Sequence, residues 1–168
     1  VKAYIQYQLG ALIAFTAAHG VKLQHCKPHG SLYNMAAKDM DLSLAIAEAI
    51  VEVDKNIILM GLAGSKMLEA GRQMGLRVAS EVFADRAYQA DGSLVPRKQP
   101  GAVIHDKDEA IARTIRMVTE GKVTAITGEE VSIDAHSICV HGDNPSAVEF
   151  VKNIRASLSA QGVEIAPI

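Results

Sequence analysis

The run Asn56-Ile57-Ile58-Leu59-Met60 narrows most what this chain can fold into. An uninterrupted apolar run of strand length belongs to a strand covered on both faces, the pattern of a parallel sheet flanked by helices. Gly61-Leu62-Ala63-Gly64-Ser65 comes next as a small-residue turn, with Ser65 placed to cap a helix that runs to Met74 and stops at Gly75. The same order of strand, turn and helix recurs along the chain. An opening helix stops at Gly20, and alternation from Val21 predicts a first strand ending at Lys27. A short helix from Ser31 to Lys38 comes next, then a helix capped by Asp41 with Leu44, Ala47, Ile50 and Val51 on one face. Leu76 to Phe83 reads as the third strand. After a long irregular stretch from Ala84 to Ile104, Asp106 or Asp108 starts a helix with Ile111, Thr114, Ile115 and Val118 inward. Ser137 to Val140 is a fourth strand. Asp143 or Asn144 caps the last helix, Pro145 sits in its first turn, and Val148, Val151, Ile154 and Leu158 line its face. Val163-Glu164-Ile165 adds a final short strand. This alternation predicts one α/β domain over residues 1–168 with a parallel sheet. Four or five strands are too few to close an eight-stranded barrel, which leaves an open sheet or a partial barrel.

The composition agrees with a packed core, at 49% apolar and 21% charged. A formal net charge of −2 gives no electrostatic reason to expect nucleic acid or an anionic membrane surface as partner. The two cysteines, Cys26 and Cys139, are too few for a disulfide framework and read as reduced thiols of a cytoplasmic protein. No apolar run reaches the roughly 20 residues of a membrane span, and no signal-peptide pattern precedes the first helix. That helix carries no Asp, Glu, Lys or Arg from Ala3 to Gly20, which predicts burial on more than one side and a place within something larger.

In a parallel sheet the strands end on one edge, where ligands bind. The segments just past the predicted strands are rich in groups that do chemistry. Lys27 and His29 flank Pro28 before Gly30, a glycine expected to turn the chain. Lys27 is a candidate anion binder, base or nucleophile; His29 and His141 are candidate bases. Gly61, Gly64 and Ser65 form a turn able to touch a phosphate, without the Gly-x-x-x-x-Gly-Lys-Ser/Thr pattern of an ATP-binding loop. Glu81, Asp85, Arg86, Tyr88 and Arg97 cluster around the long irregular segment, and loops of that length inside a domain are usually functional. Asp143 lies two residues beyond His141. His19, His25, His105 and His136 read as structural or solvated. No Glu-x-x-His pair occurs, so a metal site complete within the chain is not expected.

Taken together, Lys27-Pro28-His29-Gly30 with Leu32-Tyr33-Asn34, Gly61-Leu62-Ala63-Gly64-Ser65, Glu81-Val82-Phe83-Ala84-Asp85-Arg86, Tyr88 with Asp91-Gly92-Ser93-Leu94-Val95-Pro96-Arg97, and Cys139-Val140-His141-Gly142-Asp143 resemble the LamB/YcsF family. The resemblance implies an incomplete form of that family's distorted seven-stranded (β/α) barrel, related to the glycoside hydrolase/deacetylase barrels. It implies the A subunit of an ATP-dependent 5-oxoprolinase, opening the lactam of 5-oxoproline to glutamate with ATP, bound as its Mg2+ complex, together with subunits B and C. Lys27, His29, Asp85 and His141 are then the expected catalytic groups. Gly61, Gly64, Ser65, Glu81, Arg86, Tyr88, Arg97 and Asp143 are the expected substrate and phosphate contacts. The family's opening strands and their acidic and histidine loops have no counterpart here, so the chain matches the family's C-terminal portion, and any divalent metal would need residues from outside it. A homo-oligomer is compatible with this reading. The competing expectations are a metal-dependent deacetylase or amide hydrolase working without ATP, and an inactive piece serving in assembly.

Overall fold

The computed structural model describes residues 1–142 and 147–168. The predicted caps Asp143 and Asn144, with Pro145, lie outside the described residues. The chain divides into two compact units, Val1–Ser80 and Glu81–Ile168.

The first unit opens with α1 (Lys2–Ala18), then β1 (His25–Cys26), α2 (Gly30–Ala36), α3 (Met40–Asp54), β2 (Ile58–Leu62), α4 (Lys66–Gln73) and the start of β3 (Val78–Phe83). All of β2 is buried, as its unbroken apolar run predicts. It pairs in parallel with β1 through His25↔Ile58 and Cys26↔Leu59, and the Leu59 N–H donates to Arg77 O just ahead of β3. The first strand is far shorter than its alternation predicts. The ladder to β2 starts at His25, with Ile58 N–H on Gln24 O ahead of it, and Val21 is 56% exposed. Ile46, Ala47, Ala49 and Ile50 of α3 and Met67, Leu68 and Ala70 of α4 are buried with β2. The cap of α3 is Asp39, not Asp41: its carboxylate accepts from Leu42 N at 3.0 Å, and Asp41 sits inside the first turn. Ser65 caps α4 as predicted, accepting from Leu68 N at 3.4 Å.

Within this chain, helix α1 is covered along one side. Ile5 and Leu9 are buried, and Lys2 and Gln6 reach Glu52 of α3 at 2.6 Å each. Tyr4, Tyr7 and Phe15 are 70–75% exposed within this chain, so one stripe is covered and not several.

The second unit contains the end of β3, then α5 (Lys107–Thr119), β4 (Lys122–Thr124), β5 (Glu130–Ser132), β6 (Ser137–Cys139) and α6 (Ala147–Ala160). Strand β3 pairs in parallel with β6 through Glu81↔Ser137, Val82↔Ile138 and Phe83↔Cys139. Strands β4 and β5 form an antiparallel hairpin that the sequence pattern does not announce. Its short strands are solvent-facing apart from Val123 and half-buried Val131, so their alternation is faint. Asp106 caps α5, accepting from Glu109 N at 2.8 Å. On α6 the buried face is Ala147, Phe150, Ile154 and Leu158, while Val148 and Val151 are exposed. The large Phe150 ring decides that rotation by packing into the cluster of Ala84, Ala110, Ile154 and Leu158. The predicted last strand is absent among the described residues: Val163 N–H returns to Leu158 O and closes the helix end.

Candidate active site

In the first unit, Pro28 is buried and directs the chain out of β1. Gly30 takes a φ of +64°, the left-handed turn expected of it, and α2 starts there. The Lys27 ammonium lies 5.6 Å from the centre of the Tyr33 ring, a cation–π contact. His29 is the exposed residue before α2, and its ring makes no capping bond there. Burial pushes the neighbouring Cys26 thiol up to about 11, which disfavours the reactive thiolate.

The Gly61–Ser65 turn has a packing explanation. A Cβ on Gly61 would meet Met67 Cε at 2.9 Å, so this glycine admits α4 against its strand. Gly64 has φ +74° with open space around it, and the Ser65 hydroxyl is engaged by the cap of α4.

In the second unit the long segment after β3 is ordered by its own bonds. Bridges join Arg86 to Val103 and Tyr88 to Leu94. Arg86 is 6% exposed, and its guanidinium donates to Val95 O at 2.6 Å and Ala102 O at 3.3 Å. Burial, with the nearby charge of Arg97, holds Arg86 below the usual guanidinium range, opposed by Asp85. Tyr88 is fully buried, and its hydroxyl accepts from Phe83 N at 2.8 Å; burial raises this phenol well above its ordinary value. Glu81 is buried in β3. These three side chains sit in the interior, and none lines the cavity of this unit.

That cavity has a volume of about 500 Å³ and is lined by Asp85, Arg97, His105, Asp106, Lys107 and His141 together with apolar residues that include Ile104 and Phe150. At its wall Asp85, His141 and Arg97 form a chain. His141 Nδ1 is 2.8 Å from Asp85 Oδ2, and Arg97 Nη2 is 2.9 Å from His141 Nε2. A guanidinium only donates, so Nε2 accepts from Arg97, and the imidazole hydrogen is on Nδ1 and goes to Asp85. The Phe83 ring stacks on His141 with centroids 6.0 Å apart, fixing the imidazole plane. Asp85 Oδ1 is buried with no hydrogen-bond partner among the described residues, a carboxylate oxygen still able to accept. Among the described residues no three of His, Cys, Asp and Glu converge as metal ligands would.

Of the expected site residues, the structure therefore brings Asp85, Arg97 and His141 together. Lys27 and His29 lie in the other unit, and Asp143 lies outside the described residues. Sequence reasoning passes over His105 and Lys107. The signal is there in outline: a histidine immediately before the helix cap Asp106, at the end of the stretch that bridges back to Arg86.

The family model for LamB/YcsF matches residues 1–168. The chain belongs to the LamB/YcsF family. It is 63% identical over 164 residues to the 5-oxoprolinase A subunit of Alkaliphilus metalliredigens, covering 98% of this chain and 64% of that protein. It is 53% identical over 165 residues to the 5-oxoprolinase A subunit of Pyrococcus furiosus, covering 98% of this chain and 65% of that one. The crystal structure of a lactam utilization protein from Thermus thermophilus superposes with a TM-score of 0.90 at 43% identity, over 99% of this chain and 66% of that chain. The chain thus spans a little under two thirds of the length of these relatives. The parallel strand pairs and this structural likeness bear out the α/β class and agree with an incomplete (β/α) barrel. No helix among the described residues is long and apolar enough to cross a membrane.

Proposed function

We propose that this chain is part of the A subunit of an ATP-dependent 5-oxoprolinase and hydrolyses the lactam of 5-oxo-L-proline to L-glutamate. The observation that carries the proposal is the Asp85–His141 pair in the wall of a cavity large enough for so small a cyclic amide, in a chain 63% identical to a protein named as the A subunit of 5-oxoprolinase. His141 Nε2 takes a proton from water as it adds to the lactam carbonyl. Asp85 holds the Nδ1–H tautomer and stabilises the imidazolium that forms, the division of labour of a histidine–carboxylate pair. The proton then goes to the ring nitrogen as the C–N bond breaks and the amine leaves. Arg97 and Lys107, both lining the cavity, are cations suited to the substrate carboxylate or a phosphate. A lactam is a stable amide; ATP, where bound with Mg2+, would activate it by passing its terminal phosphoryl group to the carbonyl oxygen with ADP as leaving group, and that group would end as inorganic phosphate once water has completed the ring opening. Lys27 is the first unit's candidate for a phosphate contact and His29 its candidate for proton transfer. Subunits B and C are the proposed partners, and a reducing compartment such as the cytoplasm suits the two cysteines, neither of which is in a disulfide.

The test is glutamate release from 5-oxoproline by the assembled enzyme, with and without ATP. His141→Gln is expected to reduce the ATP-coupled rate by about 10²–10⁴-fold, the usual contribution of a positioned base. A rate within a few-fold of wild type, in a variant that folds and assembles, removes His141 from the mechanism.

A further inference from the structure

The arrangement that offers His141 as a base also closes it. A base needs a free lone pair, and the lone pair on Nε2 is the one that Arg97 Nη2 occupies at 2.9 Å. With Nδ1–H engaged by Asp85 at 2.8 Å, both imidazole nitrogens are bonded. We propose that Arg97 caps His141 in the unliganded protein and that a small-molecule carboxylate entering the cavity draws the guanidinium away, freeing Nε2 as it binds. Arg97 is then a positioning residue that couples carboxylate recognition to exposure of the base.

Three observations support this. Arg97 is exposed at its hydrogen bond to His141, so it moves without exposing apolar core. A guanidinium pairs with a carboxylate through two parallel charge-assisted bonds, whereas an imidazole nitrogen accepts one bond without a charge of its own, so the exchange is favourable. Arg97 and His141 both line the same cavity, so a ligand in it reaches both. His141 itself stays put when Arg97 leaves, because Phe83 stacks on its ring and Asp85 holds Nδ1. Arg86, by contrast, has its guanidinium buried on two carbonyls and has no such freedom. The step breaks one hydrogen bond and forms two, with no covalent change; the released lone pair is the one that later accepts the proton of water. The inference rests on the hydrolase reading for its purpose, but the cap itself is tested without turnover.

The experiment is NMR of ¹⁵N-histidine-labelled chain, with the His141 resonances assigned by their loss in His141→Gln. Arg97→Met is expected to shift His141 Nε2 toward the value of an unbonded acceptor nitrogen. In wild type, 5-oxo-L-proline is expected to move Nε2 to that same position, acetate to do so at higher concentration, and 2-pyrrolidinone, the same lactam without its carboxylate, to leave it unmoved. In the assembled enzyme Arg97→Met is expected to raise the KM for 5-oxoproline roughly tenfold or more. An Nε2 signal that is the same in wild type and Arg97→Met overturns the cap. So does a wild-type signal that no carboxylate moves, or that 2-pyrrolidinone moves as far as 5-oxoproline does. Loss of turnover in His141→Gln is a separate result, so failure of the hydrolase reading and failure of the cap are distinguishable.

Discussion

Arg86→Met separates a brace from a ligand contact. The guanidinium is 6% exposed and donates to two backbone carbonyls, Val95 O and Ala102 O. Methionine fills a similar path and removes both donors. Ala102 O keeps the N–H of Ala87 at 3.0 Å, so it loses a second bond and not its only one. A hydrogen bond from a charged donor contributes about 1.5–3 kcal/mol, and a buried carbonyl left short of a partner costs about 1–3 kcal/mol. Relief from keeping a charge buried offsets part of the sum, since burial already disfavours the charged form of Arg86. The expected net loss is about 2–4 kcal/mol. For a chain of this length each kcal/mol corresponds to about 2–4 °C, so the melting temperature is expected to fall by roughly 4–16 °C. Urea unfolding followed by circular dichroism gives the free energy, and scanning calorimetry gives the midpoint. The reasoning fails if Arg86→Met unfolds within about 0.5 kcal/mol of wild type, the scatter of an ordinary surface change. If such a stable variant also lost 5-oxoproline binding, Arg86 would be a ligand contact after all.

Two glycines inside helices predict opposite outcomes for one substitution. Gly10→Ala, with nothing near its Cβ position, is expected to stabilise by about 0.5–1 kcal/mol through helix propensity. Gly71→Ala would set a methyl 2.7 Å from Val78 Cγ1 and 3.1 Å from Leu59 Cδ2; the overpacking cost of about 1–3 kcal/mol exceeds that gain, so urea midpoints should move in opposite directions. Cys26 predicts a pH effect: its folded-state value of about 11 is raised above the ordinary thiol, so its contribution is complete below the ordinary thiol value and fades as pH climbs through 11. Cys26→Ala should flatten that alkaline decline in denaturation curves, and an unchanged slope would contradict the burial argument. Lys27→Ala in the assembled enzyme is expected to cut ATP-coupled turnover at least about tenfold; a change within about a factor of two would show that Lys27 does not touch the reacting groups.

Much of this protein is legible in its sequence because local rules are enough. The apolar run 57–60 can be satisfied only by cover on both faces, and Ser65 and Asp106 cap their helices because a short oxygen side chain before a helix has few better partners than its free N–H groups. Gly30 turns where a side chain would resist. Tertiary contact decides the rest. Val148 and Val151 lose the inner face of α6 to Phe150, since which apolar stripe turns inward depends on the size of the hole it meets. Arg86 and Arg97 lie in one loop and look alike on paper. One is buried against carbonyls that the loop's own bridges place around it, and the other stands in water against an imidazole that arrives from 44 residues further on. Charge and residue type are properties of the chain, but burial and partnership are properties of the packing, and it is these that separate a brace from a residue free to meet a ligand.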